Sequence, residues 1–306
     1  MSNEIMEEGV ELKVISPDVI YQQDKAIVDM QVATAKQFPR SIKKAVENAI
    51  TTVTMDVETA NSCTYSVPRG GKSVTGPSVH LSKILLQYWG NMRVETKVIG
   101  IDAKHVTSQA IAFDLETNVA IKVEVKRSVL TKSGRMNDDM ITVTGNAANA
   151  IAMRNAIYAV IPKAVVTKVY NEAKKAITGD VSDQTKLINR RKQVFDGFRE
   201  TYGVNEQEIL NAIGRAAIDH VSPDDIVTII GIGQAIKDGD TTVELAFRTI
   251  RDSANSDEYN QCASDMAKIN SKETMLQFET EYAAILKKDF RLLGKFNEYK
   301  KLWRNK

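Results

Sequence analysis

Residues 92–129, "MRVETKVIGIDAKHVTSQAIAFDLETNVAIKVEVKRSV", decide the fold. They divide into three runs of period two. The first sets Val94, Thr96 and Val98 against Arg93, Glu95 and Lys97; the second sets Val106, Ser108, Ala110 and Ala112 against Thr107, Gln109, Ile111 and Phe113; the third sets Ile121, Val123 and Val125 against Lys122, Glu124 and Lys126. Alternation at every second residue is the mark of a strand with one buried face. The connections, around Gly100-Ile101-Asp102 and Glu116-Thr117-Asn118, are short enough for hairpins. Three strands joined this way predict an antiparallel meander with one face free to receive a helix.

That helix follows in "GNAANAIAMRNAIYAVIPKAVVTKVYNEAKKAI", 145–177. Ala147, Ile151, Ile157 and Ile161 are expected against the sheet, and Pro162 should interrupt the helix. Upstream, 19–57 reads as helices divided at Phe38-Pro39, and "PSVHLSKILLQYWG" as a short helix between Pro77 and Gly90. Past Gly179 the pattern changes to short helices with capping signals such as Ser222 and Asp225. "NSDEYNQ" reads as a linker, and about 271–306 as one more, basic, helix. The expected fold is α+β, a three-stranded meander packed on a long helix, with N-terminal helices and a C-terminal helical module. Its expected divisions are 1–60, an acidic segment and helices; 61–179, the α+β core; 180–254, a small helical module; and 255–306, linker and basic tail helix.

Composition narrows the setting. Cys63 and Cys262 stand far apart with no Cys-x-x-Cys pair, which suits a reducing compartment. The N-terminus, "MSNEIMEEGVEL", lacks the basic start and apolar run of a signal peptide. No apolar stretch reaches the roughly 18 residues of a membrane span. A cytoplasmic protein is expected.

Catalytic patterns are sparse. Arg69-Gly70-Gly71-Lys72-Ser73 resembles the end of a phosphate-binding loop, but that loop needs glycine five residues before Gly71, where Ser66 stands, and Pro68 removes an N–H from the cradle. The segment reads instead as a flexible basic loop. His80, His105 and His220 lie on separate elements without ligand spacing, and His80 with Lys83 reads as a solvated helix face. Asp138-Asp139, expected several residues ahead of the long helix, is a carboxylate pair that could hold Mg²⁺; Asp224-Asp225 reads as an acidic first turn. Gly231-Ile232-Gly233 lacks the third glycine of a dinucleotide fingerprint and reads as tight helix packing.

Charge distribution says more. The chain's formal net charge is +2, yet from Arg69 to Arg135 eleven basic residues face five acidic ones. Four of those cations fall between Lys126 and Arg135. A basic sheet face with an adjoining loop suits a polyanion backbone, because each phosphate contact releases counterions without reading a base. The same face could also be plain solvated surface. Only Phe113 offers a strand aromatic, which argues against base stacking as the main mode.

The order of loop, helix ending in "QYWG", basic three-strand meander and alanine-rich helix "AANAIAMRNAIYAVIP" resembles the core of the single-strand annealing proteins of phage recombination, the RecT/Redβ/Erf superfamily. The resemblance covers about 69–177, roughly a third of the chain, and rests on element order and a few positions. It implies an ATP-independent protein without covalent chemistry or cofactor. Such a protein binds single-stranded DNA, assembles into a ring or filament, and anneals complementary strands. Carried over by position, the groove would be lined by Arg69 and Lys72 in the loop, Lys122, Lys126 and Arg127 on the third strand, and Lys132 and Arg135 beyond it, with Arg154 on the long helix. The C-terminal region would contact a partner nuclease or single-strand-binding protein. The competing readings are a non-enzymatic phage scaffold protein and, below it, an enzyme using Lys72 and the Asp138-Asp139 pair.

Overall fold

The computed structural model describes residues 16–69, 72–131, 134–179, 181, 184–248, 257–266, 268–269, 271–288, 296–297 and 300. The chain forms two compact units. The first comprises Met1–Ser66, Thr75–Arg190 and Ser222–Asp240, the second Val67–Val74, Arg191–Val221 and Thr241–Lys306.

The first unit is built on the meander. β3 (Met92–Ile101), β4 (His105–Asp114) and β5 (Val119–Ser128) form an antiparallel sheet in the order β3-β4-β5, so the fold is α+β as expected. The two turns follow from local chemistry. The Asp102 carboxylate accepts from the backbone N–H groups of Lys104 and His105, at 2.7 and 2.8 Å, and Asn118 takes the left-handed φ of 57° that asparagine tolerates.

α5 (Asp138–Val160) crosses one sheet face, and its contact side is made of small residues. Ala152 and Ala156 pack on Ala110 and Ala112, while Ile141 and Ala148 pack on Val106 and Val129. The bulky Ile157 and Ile161, expected against the sheet, lie on the opposite side. There they join α2 (Ile42–Val53), α4 (Val79–Trp89) and α6 (Lys163–Thr178) through Val53, Leu81, Leu85 and Val169. Alanines let the helix approach the pleat closely, and the isoleucines fill the wider space between helices. α5 also begins seven residues before the expected start at Gly145. Asn137 caps it by accepting from Met140 N–H, and Asp138 and Asp139 form its acidic first turn. Pro162 ends it, as expected.

The segment read as a flexible loop is a β-hairpin. β1 (Thr64–Arg69) pairs with β2 (Lys72–Pro77), and the Ser66 and Thr75 hydroxyls meet at 2.9 Å. α1 (Pro17–Gln37) and α3 (Val57–Ser62) precede it. α9 (Pro223–Lys237) passes directly over β1 at Gly231. A Cβ there would stand 2.8 Å from the carbonyl carbon of Tyr65 and 2.9 Å from the backbone nitrogen of Ser66. Gly231→Ala is therefore expected to destabilise the protein by about 1–3 kcal/mol, because backbone atoms cannot swing aside. On propensity alone the change would stabilise a helix by roughly 1 kcal/mol, so the sign of the shift in a thermal melt decides.

In the second unit, α7 (Gln184–Tyr202, of which 191–202 belong here) places Phe198 against Tyr202 and against Phe247 of a π-helical turn, Glu244–Arg248. α8 (Glu206–Ile213) opens with a capping box between Asn205 and Glu208. The tail expected as one helix is broken among the described residues into Lys272–Glu281 and Ala283–Lys288, preceded by a helix over Asp257–Met266 that takes in part of the expected linker. Tyr282 breaks the tail, its ring packed on Phe278 and its hydroxyl donating to Asp265 at 2.6 Å. Among the described residues no helix is long and apolar enough to cross a membrane.

Candidate nucleic-acid interface

Of the eight residues expected at the groove, the five whose side chains are described fall in separate places. Lys122 and Lys126 are exposed and share the face of β5 that turns away from α5. Strand register gives their neighbours. Lys122 lies opposite Ile111, which lies opposite Glu95; Glu124 lies opposite Gln109, which lies opposite Lys97; Lys126 lies opposite Thr107. This outer face therefore carries Arg93, Lys97, Lys122 and Lys126 against Glu95 and Glu124. Three of its charges are engaged: Arg93 bonds Glu95 and also Gln31 of α1, and Gln109 donates to Glu124 at 3.2 Å. Lys97, Lys122 and Lys126 make no ion pair among the described residues.

Arg127 falls on the other face by the same alternation. It is half-buried, and its Nη1 donates to Asp240 Oδ1 at 2.9 Å. Arg154, from α5, reaches the same neighbourhood: its guanidinium stacks 4.4 Å above the Tyr65 ring, and Nε donates to Asn155 Oδ1 at 3.2 Å. Arg135 lies on the short β7 (Gly134–Arg135), paired with β6 (Leu130–Thr131), and donates to the Asp102 carbonyl at 2.7 Å, which ties that hairpin to the β3–β4 turn. Lys132 and the side chains of Arg69 and Lys72 lie outside the described residues.

Residues that sequence reasoning passed over surround Arg154. Tyr65, Asp238, Asp240, Ala147, Ile151 and Val79 line a small cavity of about 20 Å³ with it. His80, read as a solvated helix face, has its Nε2 3.0 Å from Asp238 Oδ1, and Gln234 donates to the same oxygen at 2.8 Å. Burial raises the pKa of Asp240, and the charges of Arg127 and Arg154 oppose that rise without cancelling it. The sequence did hold one signal. Asp238 and Asp240 follow the C-terminus of α9, where the helix dipole favours cations, so acidic residues there call for a cationic partner elsewhere.

The remaining candidates have structural explanations. Asp138 and Asp139 complement the N-terminus of α5, and Asp225 completes a capping box with Ser222. Burial pushes the Cys63 thiol up to about 12, so it stays protonated at neutral pH. Among the described residues no group of three or more His, Cys, Asp or Glu could hold a metal ion. No protein-family model, curated protein or solved structure matches the chain.

Proposed function

We propose that this protein binds single-stranded DNA through the phosphate backbone and anneals complementary strands without ATP, as a homo-oligomer in phage-type recombination within the bacterial cytoplasm. The observation that carries the reading is the outer face of the meander, where Lys97, Lys122 and Lys126 stand exposed and without ion-pair partners among the described residues. A face of separated lysines contacts phosphates without reading bases, which annealing of arbitrary sequences requires. The element order adds support: a helix ending at Trp89-Gly90, three antiparallel strands, then the alanine-rich α5. The C-terminal helices are the proposed contact for a nuclease or a single-strand-binding protein.

The test is a salt titration of binding to a long oligonucleotide, followed by annealing of labelled complementary strands without nucleotide. Affinity should fall with salt at a slope of roughly −0.7 per phosphate contacted, and particle images should show rings or filaments with DNA. Millimolar affinity at low salt would sink the reading and leave the outer face as solvated surface of a scaffold protein.

A further inference from the structure

We propose that Arg127 and Arg154 form a seat for a DNA phosphate that the chain's own Asp240 fills, so that a phosphate enters only by displacing the turn Asp238–Asp240. The proposal rests on the DNA-binding reading above and adds a second phosphate site, on the α5 side of the sheet, together with its control.

The two arginines at this place are engaged unequally. Arg127 holds Asp240 at 2.9 Å, and Arg154 lines the same cavity as Asp240 yet makes no ion pair among the described residues. The other acid of the turn, Asp238, is engaged by His80 and Gln234. Two guanidinium groups thus stand beside two carboxylates, and Arg154 lines the cavity with both Asp238 and Asp240 while bonding neither among the described residues. Arg154 is moreover held ready, with its plane on Tyr65 and Nε on Asn155, leaving the two Nη groups as donors.

Guanidinium groups bind carboxylate and phosphate oxygens with the same forked geometry, so the Asp240 carboxylate stands in for a phosphodiester. The cavity beside it, about 20 Å³, has room for a single water and not for a phosphate. Entry therefore requires the turn to leave. The turn can do so without unfolding α9. It is joined to the helix only at its last turn, by backbone hydrogen bonds from Asp238 to Gln234 and Ile236, Gly239 to Ile236 and Asp240 to Ala235 and by Gln234 donating to the Asp238 carboxylate, and Gly239 turns the chain at φ +75°. The carboxylate is also held at a cost, because burial disfavours its charge.

Asp240→Asn keeps the shape and removes the competing charge. Binding of oligothymidylate between about 50 and 200 mM salt should become about tenfold tighter, with the salt slope steeper by roughly 0.7–1.4 as one or both arginines gain a phosphate. A folded variant with unchanged or weaker binding overturns the seat. A second measurement uses the wild-type protein alone and stands even where the variant does not fold. Hydrogen exchange at the Gly239 and Asp240 amides should quicken when oligothymidylate is added, and unchanged or slower exchange overturns the displacement. The Lys122→Ala, Lys126→Ala double variant separates the two claims. If wild type binds, the double variant weakens it and Asp240→Asn changes nothing, only the seat falls. If neither wild type nor Asp240→Asn binds, both readings fall.

Discussion

Arg40→Ala is expected to cost about 3–5 kcal/mol, the loss typical of breaking a buried ion pair from one side. For a unit of this size that lowers the thermal midpoint by roughly 6–20 °C. Arg40, in the linker between α1 and α2, has a side chain only 8% exposed and meets Asp114, 5% exposed, through two nitrogens at 2.6 and 2.7 Å. Its Nε and backbone N–H both donate to Glu116, at 2.8 and 2.9 Å, and its guanidinium lies 4.7 Å from the centre of the Trp89 ring. Asp114 also accepts from the backbone N–H groups of Glu116 and Thr117, so one arginine fixes the N-terminal linker, the end of α4 and the β4–β5 turn together. Without it, two neighbouring buried carboxylates lose their counter-charge.

The acid limb provides an independent check. Burial alone would raise the pKa of Glu116, but hydrogen bonds from Arg40 and Asn91 and the Arg40 charge outweigh burial, and the net direction is down from 4.5. A group whose folded pKa is depressed stabilises the protein above its unfolded pKa and loses that contribution as pH falls through the folded value. The gap between wild type and Arg40→Ala should therefore be full at neutral pH and close below about pH 4. Melts followed by circular dichroism would show it, and a gap constant from neutral to acid pH would exclude the clamp as its source.

The ease of reading this chain depended on how local each signal was. Period two persists through 92–129, so the strands were legible: β3, β4 and β5 take in every residue of the three alternating runs. The start of α5 was hidden because "MITVT" carries β-branched residues that weaken a helical pattern, although Asn137-Asp138-Asp139 held the cap and acidic turn that mark a beginning. The β1–β2 hairpin was read as a loop because Gly-Lys-Ser suggested a helix entry, while Gly70-Gly71 between two short runs is also a hairpin signal. For the candidate site, alternation legibly places Lys122 and Lys126 on one face, and the same rule separates Arg127 from them. Its partner was beyond reach: Asp240 lies 113 residues away, and nothing local encodes a pairing at that distance.

Replacing Lys122 and Lys126 together by alanine should weaken single-strand binding about tenfold or more at low salt and flatten the salt slope by roughly 1.4, two contacts at about 0.7 each. The loss should be the same for every base sequence, because lysines at a sheet face contact phosphates, and Phe113 is the only aromatic on β3, β4 and β5. Both side chains are exposed and make no ion pair among the described residues, so stability should change by less than about 0.5 kcal/mol, and a loss of affinity would not be a loss of fold. Glu124 projects between the two lysines on the same face and supplies a control of opposite sign. Glu124→Gln removes a charge that repels phosphate and should tighten binding, while Arg93→Ala should matter less than the double change because Arg93 is already bonded to Glu95 and Gln31. A salt slope unmoved by the double variant would take the outer face out of the binding surface, whatever the affinity. The pattern across the three variants discriminates better than any one of them, because a generally loosened protein would lose affinity in all three, whereas a phosphate-binding face loses it strongly in the first and gains it in the second.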